Sequence, residues 1–234
     1  MGVGSKFVII ASTGNNIQTE GLVGYWDAAY KKSYPGSGTS WNDLTSNQNN
    51  GVLVNGPTFD SNDGGSIVFD GSDDYITIAQ TSGDFSQNPM TTEHWVKFDA
   101  FNAGGDMLLM DRTVWNGTTG IETYILSSPK VVAVRGSGAT KHDGSVTIST
   151  GTWYQICIVF SGTTAYIYIN GQLDNSGTIG QVQNSSHAMH VGNYPSNNSY
   201  NFDGNWANLL IYNKALTAGD VLQNFNAQKD RFGL

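Results

Sequence analysis

Apolar residues along this chain fall into short runs, some alternating with polar residues and some continuous, broken by clusters of Gly, Asn, Asp and Pro. Ser66–Asp70, Tyr75–Ala79, Thr91–Phe98, Asp106–Asp111, Ile121–Leu126 and Val131–Arg135 each read as a strand. So do Val146–Ser149, Thr152–Phe160, Thr164–Asn170, Ala188–Gly192 and Asn205–Tyr212. Many short strands at this spacing predict a sandwich or barrel. No stretch recurs at a fixed period, so a propeller or solenoid is not expected.

Within Ala165–Asn170, successive side chains point to opposite faces, so Ile167 and Ile169 share one face and Tyr166 and Tyr168 the other. Both faces are bulky, which predicts a central strand covered on both sides. Asp70-Gly71 and Asn170-Gly171 are reversing-turn dipeptides, and Phe69–Ile76 reads as a strand pair joined by a turn. The helix signal comes late. Thr217 is placed to cap, Asp220 sits where a capping box puts its acid, and Leu216 can staple onto Val221. The expected helix, Ala218–Ala227, carries a narrow stripe of Val221, Leu222 and Phe225 that should pack on the sandwich.

The first twenty residues lie outside the pattern, which divides the chain into 1–20 and 21–234. Phe7, Val8, Ile9 and Ile10 form an apolar patch before the polar run Ser12–Glu20. This segment is a frayed terminus, an extra edge strand, or an assembly arm that adds a strand to a neighbouring subunit.

The chain has 234 residues, enough for one large all-β domain. Charged residues are only 13% and Gly, Asn, Ser and Thr are abundant, so neutral polar groups must dress the surface and its turns. Net charge is −8 with eleven scattered Lys and Arg, which argues against nucleic acid as a partner. The single Cys157, inside an apolar run, reads as a buried thiol and excludes an intrachain disulfide. Phe7–Ala11 is too brief for a secretion signal or a membrane span, so neither is expected, and the sequons at Asn116, Asn184 and Asn197 read as features of Asn-rich loops.

Gly21-Leu22-Val23-Gly24-Tyr25-Trp26-Asp27-Ala28-Ala29, Ser33–Leu44 and Phe69–Ile76 resemble the opening of laminin-G-like jelly rolls carried by structural proteins of tailed bacteriophages. Glu93-His94-Trp95-Val96-Lys97, the pair Thr152–Ile156 with Ala165–Gly171, and the run Phe202–Leu216 resemble later strands of the same laminin-G-like and concanavalin A-like family. His94 and the neutral Ala207-Asn208 depart from the family pattern. The resemblance implies an all-β, antiparallel jelly-roll β-sandwich of concanavalin A-like lectin/glucanase type with one short C-terminal helix. It further implies a virion component, made in the host cytoplasm, whose partners are other capsid or tail proteins in a multi-copy assembly and, through outward loops, cell-surface glycans.

Jelly rolls of this type include glycoside hydrolases, which need two carboxylates facing across a sugar. The only glutamates are Glu20, Glu93 and Glu122, none in the E-x-D-x-x-E spacing of related glucanases, so no enzyme is expected. His187 and His190, three apart, would face opposite sides of a strand and share no ligand. Calcium is the one cofactor left open. Asp70, Asp73 and Asp74 form the densest carboxylate cluster, although Asp is also favoured in turns for its own backbone capping. For sugar recognition the candidates are Trp115, Asn116, Tyr194, Asn197 and Tyr200, aromatic rings beside amides on loops. The expectation is therefore a non-enzymatic virion structural protein, a capsid decoration or tail component anchored by its N-terminal arm. A carbohydrate-binding adhesin is the alternative, with a glycoside hydrolase behind it.

Overall fold

A computed structural model describes residues 16–79, 88–102, 105–112, 120–128, 131–136, 140–180, 182, 185, 187–194 and 199–234. The described strands are β1 (Leu22–Asp27), β2 (Ser40–Trp41), β3 (Gly51–Val54), β4 (Thr58–Asp60), β5 (Ser66–Asp70), β6 (Tyr75–Ile78), β7 (Met90–Phe98) and β8 (Met107–Asp111). They continue with β9 (Glu122–Ile125), β10 (Val132–Arg135), β11 (Lys141–Asp143), β12 (Trp153–Ser161), β13 (Thr164–Ile169), β14 (Gln172–Thr178), β15 (Met189–Val191) and β16 (Asp203–Tyr212), followed by helix α1 (Ala218–Gln228).

Two antiparallel sheets form a sandwich. The first has the order β14-β13-β12-β7-β16-β5-β4, with β1 also pairing β16, and the second the order β11-β10-β9-β8-β15-β6-β3-β2. Alternation decides what each strand gives to the core. In β12, Ile156, Ile158 and Phe160 enter it, while Cys157 and Val159 face outward into a second apolar cluster. That outer cluster is covered by Val221 and Ala227 of α1 and by Ile17. Tyr168 lies there too and Ile167 in the core, as the alternation predicts, but β13 is penultimate in its sheet rather than central. Cys157 is fully buried, as expected.

The helix starts where the capping box predicts, with Thr217 accepting from Asp220 N and Asp220 returning a bond to the Thr217 N–H. Its buried face is Val221, Asn224 and Ala227; Leu222 is exposed, because Asn224 turns inward to bond Glu93 and Tyr212. Asn170 and Gly171, both at positive φ, make the two-residue turn from β13 to β14, and a side chain at 171 would meet Phe225 Cβ at 3.0 Å.

Two further expectations are corrected. Val146–Ser149 is not a strand: Ser145 and Val146 donate their backbone N–H groups to the Asp174 carboxylate and Ser149 donates to the Tyr154 hydroxyl. Asp70–Asp74 does not join a paired hairpin, because β5 belongs to the first sheet and β6 to the second; the turn carries the chain across the sandwich.

The opening motif builds the fold. Asp27 accepts from the Tyr25 hydroxyl, from Ala29 N and twice from Arg231 Nη1, at 2.9 and 3.0 Å. Asp43 accepts from Tyr25 N, Thr45 N and Asn49 N. Residues 16–20, grouped above with the arm, belong in part to this body. Gln18 N donates to Asn224, Gln223 to Asn16 O and Tyr212 to Gln18 O, with Ile17 buried beneath. Phe7, Val8, Ile9 and Ile10 lie outside the described residues.

Candidate functional site

Facing residues on the second sheet line up across its strands. From Lys141 at one edge, register neighbours run through Arg135, Glu122, Asp111 and His190 to Thr77. Directly opposed residues share a face. The alternate positions Val134, Met110, Val191 and Ile76 are core, so this polar row looks away from it.

The row is internally organised. Arg135 Nη1 donates to Glu122 Oε2 at 3.0 Å, and its guanidinium sits 5.5 Å from the Tyr124 ring centroid. Asp111 Oδ2 lies 3.8 Å from His190 Nδ1, and the His190 ring meets Tyr75 edge to face at 6.2 Å. Tyr194 is packed against both carboxylates: burial raises its phenol far above the ordinary value, helped by the charges of Asp111 and Glu122 and a hydrogen bond to Glu122. Burial also pushes Tyr124 up to about 12, with Arg135 opposing and Asp106, Glu122 and Asp143 adding to the rise. Both phenols are therefore neutral donors at physiological pH. Arg135, His190, Tyr75 and Tyr200 are thus partly exposed on this face or its margin, whereas Asp111, Glu122, Tyr124 and Tyr194 are buried beneath them.

Of the sugar candidates, the structure brings Tyr194 and Tyr200 together, edge to face at 5.3 Å. Trp115, Asn116 and Asn197 lie outside the described residues, the first two in the link between β8 and β9. Asp111, Arg135, Tyr75 and Tyr124 were not anticipated. For Asp111 and Arg135 the signal is a charged residue closing an otherwise apolar strand, as in Met107–Asp111 and Val132–Arg135. His190 has its neighbour in Asp111 on β8 rather than in His187, a pairing across strands that the spacing of the two histidines along the chain does not reveal.

Glu93 sits elsewhere, fully buried under α1, accepting from Asn224 Nδ2 at 2.7 Å and Gln228 Nε2 at 2.9 Å. Burial raises its carboxyl, and hydrogen bonds from Gln155, Asn224 and Gln228 oppose the rise.

Asp70, Asp73 and Asp74 are a second cluster, each offering a carboxylate oxygen within 4.8 Å of the others. Burial raises Asp74 to about 6, the charges of Asp70 and Asp73 adding to the rise and the hydrogen bond from Asp70 N opposing it. Calcium takes six to eight oxygens. The cluster fits it as a partial shell, since Asp70 N and Ser72 N already donate to two of the oxygens.

The model of the family described as concanavalin A-like lectin/glucanases superfamily matches residues 70–222. No curated protein matches the chain. Among solved structures, a Trypanosoma rangeli sialidase is similar at TM-score 0.71 and 16% identity, covering 96% of this chain and 35% of its own. Domain 4 of AbnA, a GH43 extracellular arabinanase from Geobacillus stearothermophilus, in complex with arabinotriose, is similar at TM-score 0.66 and 17% identity, covering 88% of this chain and 98% of its own. The chain thus spans about a third of the sialidase, and at these identities the likeness is one of fold.

Proposed function

Because the chain belongs to the concanavalin A-like lectin/glucanase superfamily, we propose that it is a non-enzymatic glycan-binding module whose ligand, a neutral oligosaccharide, lies on the outward face of the second sheet. One observation carries this: Arg135, Glu122, Asp111 and His190 stand side by side in register, flanked by Tyr75, Tyr194 and Tyr200. Sugars offer hydroxyls to the exposed parts of Arg135 and His190, which the buried Glu122 and Asp111 hold in place, and C–H faces to the half-exposed rings of Tyr75 and Tyr200. The two carboxylates disfavour anionic sugars. The arabinotriose complex of AbnA domain 4 supports a sugar as the class of ligand for this fold. An ion-paired Glu122 suits binding better than proton donation, and Glu93 under the helix is out of a substrate's reach.

A glycan array tests this reading. Binding to at least one neutral oligosaccharide, lost in Tyr75→Ala and His190→Ala while their melting is unchanged, is expected. A blank array, or binding that ignores both substitutions, contradicts it. Release of reducing sugar that Glu122→Gln abolishes would overturn the non-enzymatic part. Calcium at Asp70, Asp73 and Asp74 would brace the crossing between the sheets; added calcium should then raise the melting temperature of the wild type and not of Asp73→Asn.

The resemblance of Gly21–Asp27 and Ser33–Leu44 to phage structural proteins favours display on a virion as the setting. Asn16–Gln18 lies along α1, over the first sheet, so attachment through the preceding residues would leave the polar row facing outward. Mass spectrometry of purified particles tests this; particles that lack the protein would exclude it.

A further inference from the structure

We propose that Asn55 is a site of spontaneous deamidation, which turns an amide beside the Asp70–Asp74 crossing into a carboxylate. The reaction needs an asparagine followed by a residue whose backbone nitrogen is unhindered, and glycine is the least hindered. Three Asn-Gly pairs lie among the described residues, at 50–51, 55–56 and 170–171, and the structure treats them differently.

Asn50 Oδ1 accepts from Asp43 N at 2.9 Å, and Gly51 is buried in β3 between β2 and β6. Asn170 Oδ1 accepts from Gln155 N and Asn170 N donates to Gln155 O, both at 2.9 Å, while Gly171 is buried under Leu222 and Phe225. At 55–56 both residues are exposed, nothing lies within 4 Å of where a Gly56 side chain would begin, and both have positive φ. One hydrogen bond holds the Asn55 side chain, from Nδ2 to Asp73 O at 2.9 Å, and it is solvent-exposed.

Solvent base removes the Gly56 amide proton, and the nitrogen bonds to Asn55 Cγ. The Cγ–Nδ2 bond breaks and ammonia leaves, taking a proton from solvent, so that a cyclic imide remains. Water opens the imide at either carbonyl, giving aspartate or isoaspartate at 55. The product loses its donation to Asp73 O and adds a negative charge next to Asp70, Asp73 and Asp74. Val54 pairs with Tyr75, so the new charge also borders the outward face of the second sheet.

The test incubates the folded full chain in mildly alkaline buffer and follows each Asn-Gly peptide by mass spectrometry and by enzymatic methyl labelling of isoaspartate. Conversion at Asn55 several-fold faster than at Asn50 and Asn170 is expected, and in urea the three rates should converge. Equal rates in the folded protein, or faster loss at Asn50 or Asn170, would overturn the assignment. Asn55→Gln should abolish the fast conversion in the peptide that carries residue 55; fast conversion that persists in that peptide contradicts the proposal.

Discussion

Glu93 and His94 are neighbours on β7 that face opposite sides of the first sheet, and burial moves them in opposite directions. His94 faces the core beside Trp206, with Nε2 3.2 Å from Thr92 Oγ1, and burial lowers it to about 3. The unfolded chain therefore binds a proton near pH 6.5 that the fold rejects. The stability this residue contributes is present above that pH and is lost as pH falls toward about 3, at about 1.4 kcal/mol per unit. Glu93 acts in the other sense, its raised carboxyl contributing most in acid and less as pH rises. Comparing wild type with His94→Leu cancels Glu93. Urea unfolding should show the substitution gaining about 2 to 3 kcal/mol relative to wild type between neutral pH and two units below the unfolded histidine value. A difference that does not change with pH would show that His94 is solvated. Arg231 and Asp27, with side chains 20% and 3% exposed, make the other costly pair. Arg231→Ala leaves a buried carboxylate and should cost about 3 kcal/mol in the same assay.

The elements test how the ends of the chain are held. Thr217→Ala removes the cap of α1 and should cost about 1 kcal/mol by denaturation. Removing residues 1–20 deletes buried Ile17 and the bonds to Asn224 and Tyr212, and should cost about 2 kcal/mol. At this scale the sequence was legible where periodicity is strong. Ser66–Asp70 is reproduced to the residue, β7, β12 and β16 within two residues, and α1 starts at its predicted position. β14 was missed because Gln172-Leu-Asp-Asn-Ser-Gly-Thr has no alternation; hairpin pairing to β13 makes it a strand. The Asp70–Asp74 turn was misread because a hairpin turn and a crossing between sheets use the same residues. The polar row was largely illegible for a related reason. Its members come from β11, β10, β9, β8, β15 and β6, and nothing local places β15 between β8 and β6.

Over the whole molecule the two sheets divide the work. The first is covered on its outer side by α1 and residues 16–20, which hold both ends of the described chain. The second turns its polar row and aromatic margin outward. The proposed binding face and the proposed attachment side lie on opposite sides of that division, which sets where binding should register. The most direct measurement is an amide chemical-shift map during titration with a neutral oligosaccharide that the array identifies. Perturbations should concentrate in β6, β8, β9, β10 and β15 and around Tyr194 and Tyr200, leaving α1 and residues 16–18 still. Shifts confined to α1, or to Asp70–Asp74 alone, would place the ligand elsewhere and contradict the assignment of the second sheet as the binding face.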